Sequence, residues 1–314
     1  MNVKMDTVVI TGGSGLIGKN LTKHLLAKNY NVIILSRKVD QKTENPRLHF
    51  ANWNIAAQQI NEDAITKADY IIHLAGAGVM DKKWTEKFKK EIVESRTKSS
   101  ELLIKSLQQI PNKVKAVISA SAIGWYGKDD KPLRHTEGFK ESDVSDDRFL
   151  GNTCKLWEES IQPVEALNKR LVKLRTGIVL CNDGGAFKEF KSTLRFGIAS
   201  ILASGKQIIS WIHIDDICRM YIYAMENESL HGSYNAVAPA PVKNKILILQ
   251  LAEKFRKQFY IPVHVPKLIL KLILGERSIE ILKSATVSCE KIKAAGFIFL
   301  YPSLDAALDE LTKK

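Results

Sequence analysis

Residues 11–18 of this 314-residue chain read Thr11-Gly12-Gly13-Ser14-Gly15-Leu16-Ile17-Gly18. They follow a β-branched run at residues 7–10 and open an apolar-periodic stretch at 18–28, where Leu21, Leu25 and Leu26 share one face. A buried strand, a glycine loop and a helix in direct succession leave few folds open. Gly12, Gly15 and Gly18 have distinct tasks at this spacing. The first allows a tight turn, the second lets backbone approach a pyrophosphate, and the third lets helix and strand come close. The helix start adds unpaired N–H groups and a partial positive charge. Gly12, Ser14, Gly15, Leu16, Ile17 and Gly18 are therefore the first candidate residues for holding a dinucleotide.

The rest of the chain repeats the alternation. Apolar or β-branched runs at 31–36, 48–52, 70–74, 115–119 and 171–174 read as further strands, and residues 85–109 and 154–168 as helices. This is the pattern of an α/β fold: a Rossmann-type doubly wound parallel sheet. After Gly177 the pattern loosens. A turn at 182–185, a strand at 207–212, a helix at 246–258 and a tail of short helices at 262–311, broken by Gly275, Gly296 and Pro302, describe a smaller C-terminal substrate lobe. The expected division is a nucleotide-binding unit over 1–176 and a mixed lobe over 177–314, with 207–240 returning to the main sheet.

The end of the second strand bears on which dinucleotide binds. An NAD site places Asp or Glu there for the ribose 2′-hydroxyl. This chain has Ser36-Arg37-Lys38, and the first acid is Asp40. A guanidinium matches a 2′-phosphate through paired charge-assisted hydrogen bonds. The expected cofactor is NADP(H).

Lys and Arg number 47 against 34 Asp and Glu, a net charge of +13. The lysines are dispersed, and the densest group (Lys82, Lys83, Lys87, Lys89, Lys90) alternates with Glu86 and Glu91 on one helix, so a solvated surface is expected rather than a nucleic-acid partner. The four cysteines show no zinc or CxxC spacing and read as buried free thiols. The seven histidines have no ligand-like pairing, so no metal is expected. No apolar run reaches the roughly 18 residues of a spanning helix, and the start is unlike a signal peptide. No membrane partner and a cytoplasmic location are expected.

The ordered motifs TGGSGLIG, HLAGA at 73–77, SASAIGWYG at 119–127 and WIHIDD at 211–216 resemble those of the extended short-chain dehydrogenase/reductases. More narrowly, the chain resembles an atypical, epimerase-like subgroup, the bacterial YfcH-type family, whose human relative is short-chain dehydrogenase/reductase family 39U member 1. The matching pieces include Leu74-Ala75-Gly76-Ala77, Trp84 through Glu91 to Ser95-Arg96, Trp157-Glu158, Arg175-Thr176-Gly177, Asn235 through Pro239, and Ala295-Gly296-Phe297. The resemblance implies that Ser36 and Arg37 hold a 2′-phosphate. It also implies that Leu74 and Ala75, with Gly76 after them, line the adenosine side, and that Glu91 and Arg96 reach toward the cofactor.

Typical members of that superfamily carry Tyr-x-x-x-Lys. Here no tyrosine has lysine four positions on; Tyr126 has Asp130, and Lys155 follows Gly151 instead. Ser121 stands where a serine normally polarises the substrate carbonyl. The catalytic candidates are Ser121, Lys155 and Tyr126, with Cys154 and Glu158 as further proton donors. If Gly151 faces the nicotinamide, Gly151→Tyr would restore the missing group. In His213-Ile214-Asp215-Asp216, either aspartate is expected to cap a helix beginning near Ile217. No GxSxG elbow supports a hydrolase. The leading function is an NADP(H)-dependent oxidoreductase or epimerase acting on an unidentified oxygenated small molecule, as a monomer or homodimer. A protein that holds NADPH without turnover is the alternative.

Overall fold

The computed structural model describes residues 5–37, 43–129, 137–256 and 259–313. Lys38, Asp40 and Asp130 lie outside the described residues. An eight-stranded sheet runs in the order β12-β7-β6-β5-β1-β2-β3-β4. Its strands are β1 (Thr7–Thr11), β2 (Asn31–Ser36), β3 (Leu48–Asn54), β4 (Gln59–Ile60), β5 (Tyr70–His73), β6 (Ala116–Ala122), β7 (Arg170–Thr176) and β12 (Gly232–Ala236). All neighbours are parallel except β3 and β4. The chain winds outward from β1 through β2 and β3, then returns to β1's other side for β5, β6 and β7. The carboxyl ends of β1 and β5 thus flank a topological switch point, where open α/β sheets bind ligands.

Both faces of the sheet are covered, which explains the unbroken runs of Val and Ile in its strands. On one face Ile10, Ile34, Ile72 and Ile118 pack under α1 (Leu16–Ala27) and α6 (Ile214–Glu226). On the other, Val9, Ile71, Val117 and Leu171 meet α2 (Glu62–Lys67), α3 (Glu86–Gln109) and α4 (Phe149–Ile161). The expected helix over 154–168 begins earlier, at Phe149, and continues from Gln162 as a 3-10 segment with proline in its first turn.

The C-terminal region has its own apolar cluster around Phe187, Leu194, Trp211, Leu247 and Leu308. It contains β8 (Ile178–Leu180), α5 (Gly185–Leu194), β9 (Ile198–Leu202), β10 (Ile208–Ile209), β11 (Trp211–His213), β13 (Val242–Lys243), α7 (Asn244–Arg256), β14 (Ile261–Val265), α8 (Lys267–Leu274), α9 (Ser278–Leu282), α10 (Glu290–Ala294) and α11 (Leu304–Thr312). The strand expected at 207–212 splits at Ser210. Its hydroxyl donates to the Ala285 carbonyl at 2.9 Å and accepts from Val287 N–H at 3.0 Å, so β10 pairs with β13 and β11 with β8. The tail is not all helix, since β14 pairs in parallel with β9.

The expected aspartate cap is corrected as well. Helix α6 starts at Ile214, and the His213 ring accepts from Asp215 N–H at 3.1 Å. Asp216, fully buried, instead accepts from the backbone N–H groups of Leu300 and Tyr301 at 2.7 and 2.8 Å, tying the tail to the sheet domain.

Candidate functional site

At the end of β1 the backbone turns sharply. Gly12 has φ +69°, and a Cβ there would lie 2.8 Å from the Leu74 carbonyl carbon. The Gly15 N–H donates to the Gly12 carbonyl at 3.0 Å, and Gly15 caps α1 in an extended conformation. A Cβ on Gly18 would lie 2.5 Å from the Gly12 carbonyl oxygen, so this glycine sets the approach of helix to strand. Ser14 and Gly15 are exposed, with Leu16 and Ile17 half-buried behind them. The first turn of α1 thereby opens at the switch point, with N–H groups that have no intrahelical partner.

A buried clamp holds the neighbouring strand end. Thr11 Oγ1 accepts from Leu74 N–H and Ala75 N–H at 3.1 and 3.2 Å, which leaves its proton for His73 Nδ1 at 2.7 Å. The Ser99 and Ser100 hydroxyls both donate to the Arg96 carbonyl, so each accepts from His73 Nε2, at 3.3 Å. This network selects the neutral Nε2–H tautomer. Complete burial lowers the His73 pKa to about 3. Thr11 and His73 each open a motif that the sequence offered, TGGSGLIG and HLAGA, but nothing there marked them as a pair.

Arg37 stands exposed after β2. Gly76 is exposed above Arg96; a Cβ on it would sit 3.0 Å from the guanidinium carbon. Arg96 is buried, donates through one nitrogen to the carbonyls of Ala77 and Ile92, and lies 4.7 Å from the centre of the Trp157 ring. Among the described residues no carboxylate pairs with it, and burial lowers its pKa. A desolvated cation without a counter-ion at a strand's carboxyl end suits an anionic or polar ligand. Glu91 is placed differently: half-exposed, it pairs with Lys82 at 3.2 Å.

Ser121 and Arg175 face each other across β6 and β7. Glu158, from α4, joins them. The Ser121 hydroxyl donates to Glu158 Oε1 at 2.6 Å, and Arg175 forks onto both carboxylate oxygens at 2.8 and 3.0 Å. Ser233 donates to Glu158 Oε2 at 3.0 Å. Burial alone would raise the Glu158 pKa, but the Arg175 fork, Ser121 and Lys173 outweigh it and lower the value. Glu158 is thus an anion and an acceptor rather than a proton donor. The only proton on Ser121 is given to it, so Ser121 does not present a donor to a carbonyl in this arrangement.

The remaining catalytic candidates lie in the following surroundings. Tyr126 is fully buried; its hydroxyl donates to Asn235 Oδ1 at 2.6 Å and accepts from Arg175 at 3.0 Å, and burial pushes its pKa up to about 12. It stacks on Phe139 and belongs to the core. Lys155 lies on the solvent face of α4 with Asn152, Leu156 and Glu159, and its nearest carboxylate is Glu159 at 3.9 Å. Burial pushes the Cys154 thiol up to about 12, leaving it neutral. Gly151 has no room for tyrosine, because a Cβ there would run into the Asp146 backbone. The geometry brings Ser121, Glu158, Arg175 and Tyr126 into one network and leaves Lys155 outside it. Arg175 was legible only as part of the Arg-Thr-Gly match.

A cavity of about 400 Å³ lies against edge strand β12, lined by Lys140, Glu141, Ser142, Ser233 and Lys291. It is away from the glycine loop, and the loop's geometry is the better guide to the site. Among the described residues no His, Cys, Asp and Glu group is arranged to hold a metal. No described helix is long and apolar enough to cross a membrane.

Residues 8–148 match the NAD dependent epimerase/dehydratase family, and residues 265–311 match a domain of unknown function, DUF1731. The chain is 34% identical to the epimerase family protein SSP1921 of Staphylococcus saprophyticus over 98% of this chain and 99% of that one. The crystal structure of human epimerase family protein SDR39U1 (isoform 2) with NADPH superposes with a TM-score of 0.83 at 27% identity, covering 98% of this chain and 99% of the human one. A nucleoside-diphosphate sugar epimerase from Corynebacterium glutamicum gives a TM-score of 0.75 at 29% identity, covering 98% of this chain and 59% of that one.

Proposed function

This chain belongs to the epimerase family, as an atypical extended short-chain dehydrogenase/reductase, and we propose that it binds NADP(H) at the switch point and acts as an oxidoreductase or epimerase on an oxygenated small molecule. The observation that carries the reading is the cradle itself. A side chain on Gly12 or Gly18 would run into backbone and one on Gly15 would crowd the Gly12 carbonyl at 3.2 Å beside α1's free N–H groups, and the end of β2 offers Arg37 in place of an acid. The human relative bound to NADPH supports it. When bound, the nicotinamide supplies or takes up a hydride. The chain's own residues do the rest: α1's first turn holds phosphate oxygens, Arg37 and Ser36 hold the 2′-phosphate, and the Thr11–His73 clamp keeps Leu74 and Ala75 against the loop. Arg96 offers positive charge beneath Gly76. Calorimetry with NADPH and NADH tests the reading; equal affinity for the two counts against it.

A second reading, a protein that holds NADPH without turnover, is favoured by one observation. The groups that offered a proton are engaged otherwise in this arrangement: Ser121 and Tyr126 donate to Glu158 and Asn235, Glu158 is held as an anion, Cys154 is buried and neutral, Lys155 faces solvent, and Gly151 leaves no room for tyrosine. General acid catalysis is worth about a hundred- to ten-thousandfold, so ordinary ketones should turn over slowly at best. Absorbance at 340 nm against aldehydes, ketones and sugar nucleotides separates the two. Steady NADPH oxidation with any of them supports the enzyme, and tight binding with none supports the holder.

A further inference from the structure

The C-terminal region reaches back over the sheet domain through residues 267–283, which run from α8 through the 3-10 turn Gly275–Arg277 and α9 to Lys283. Both ends of this segment are tied down. It leaves β14, where the Val265 carbonyl accepts from Ala203 N–H at 2.9 Å. At the other end Lys283 donates to the Tyr126 carbonyl at 3.1 Å, and the Ser284 carbonyl accepts from Asp129 N–H at 3.0 Å. The Asp129 carboxylate then takes the N–H and hydroxyl of Thr286, at 2.9 and 2.7 Å.

Between those anchors the hold is weakest over α8, whereas α9 is better covered, with Ser278 buried and Glu280 paired to Lys283 at 2.6 Å. Arg277 donates to the Met80 carbonyl at 2.8 Å in an exposed contact, and the exposed Glu276 pairs at 2.7 Å with Lys89, a largely covered side chain that also meets Glu86 at 3.1 Å. Met80 lies in the loop leaving β5, and Lys89 in the first turns of α3. Of the eight residues in α8 only Leu270 is buried, while Leu268 and Leu272 are 78% and 82% exposed. Gly275, at φ +58° with nothing near its missing Cβ, joins α8 to the turn. A segment with few buried apolar contacts, held by exposed polar ones, belongs to the low-stability end of a fold.

We propose that residues 267–283 are a lid over the carboxyl ends of β5 and β6, hinged beside Pro266 and Ser284 and latched by Glu276–Lys89 and Arg277–Met80, which opens to admit and release ligand. The proposal rests on reading those strand ends as the cofactor site. The segment bridges the loop after β6, at Tyr126 and Asp129, and the loop after β5, at Met80, and on this proposal ligand that passes between those loops displaces it. Because the latch is one hydrogen bond and an ion pair whose carboxylate is exposed, salt weakens it.

Hydrogen–deuterium exchange on the full chain without ligand tests the opening. Amides of 267–277 should exchange about 1.4- to fivefold faster in Glu276→Gln, the range a surface ion pair covers. They should exchange faster still in Glu276→Lys, which sets two ammonium groups together, while β6 and residues 285–287 stay unchanged. Identical exchange in all three proteins overturns the lid. Stopped-flow release of NADPH, displaced by excess NADP⁺, tests the gating. Release should quicken in the same order, and added salt should speed the wild type more than Glu276→Gln. Exchange that quickens while bound NADPH leaves at the wild-type rate overturns the gating. Quickened exchange in a chain that binds no NADPH supports the opening segment and sinks the cofactor reading instead.

Discussion

Arg37 is one exposed side chain, yet the choice between two cofactors is assigned to it. A guanidinium meeting a phosphate is worth about 1.5–3 kcal/mol per charge-assisted contact. Arg37→Asp is therefore expected to weaken NADPH roughly ten- to a hundredfold and NADH little, as read by calorimetry. An unaltered preference would place the phosphate on another cation. His73 carries a second prediction at this scale. Its folded pKa of about 3 lies below the ordinary 6.5. The unfolded chain therefore binds the proton more readily, and the stability His73 contributes is full above pH 6.5. It is lost as the pH falls from 6.5 toward 3, by about 1.4 kcal/mol per unit. Protonating Nδ1 also ends the donation from Thr11, which loosens the β5 exit beside Gly12. Chemical denaturation of the wild type and His73→Gln between pH 7 and 4 checks this, with the steeper decline expected in the wild type.

Among elements, the Glu158–Arg175 pair joins α4 to β7 and, through Ser121 and Ser233, to β6 and β12. Arg175 also donates to the Glu141 carbonyl at 3.1 Å and lies 3.7 Å from the centre of the Trp125 ring. Glu158→Gln leaves a buried guanidinium without its counter-ion, and breaking a buried pair this way costs about 3–5 kcal/mol. The expected result is a large drop in Tm, with Glu158→Leu/Arg175→Met recovering part of it. If Glu158→Gln is as stable as the wild type, the pair does not join these elements. The sequence offered Ser121, Tyr126 and Glu158 as separate chemical candidates. Their shared network depended on the Ser121–Arg175 register and on which face of α4 turns inward, and neither is visible in one chain read linearly.

At the scale of the molecule, the sheet domain and the tail are joined at Asp216. Its carboxylate takes the N–H groups of Leu300 and Tyr301, and Arg219 donates to it at 2.9 Å. Asp216→Asn should cost about 1.5–3 kcal/mol, the worth of a hydrogen bond to a charged group. Limited proteolysis should then cut near residue 300 before the sheet domain is attacked. Equal resistance to that of the wild type would mean that the cluster around Leu304 and Leu308 holds the tail unaided. The motif containing Asp216 was read as a helix cap because caps are local, whereas the backbone groups it accepts from lie more than 80 residues away.

The sequence alone determined the alternation of strand and helix, the turn of the glycine loop and the absence of an acid after β2. Each of these is written in near neighbours: β-branched runs, glycine spacing, one residue type at a strand end. The strands at 31–36 and 70–73, and helix α3, lie within a residue or so of where the pattern put them, because continuous apolar runs and a capped, periodic stretch specify themselves. Only the tertiary structure decided which candidate groups are free. Tyr126 became core, Lys155 became surface and Gly151 proved filled by Asp146, since burial and hydrogen-bond occupancy come from groups distant in sequence. The same holds for Arg96, which has no carboxylate partner among the described residues, a fact that emerges only once the sheet has closed around it.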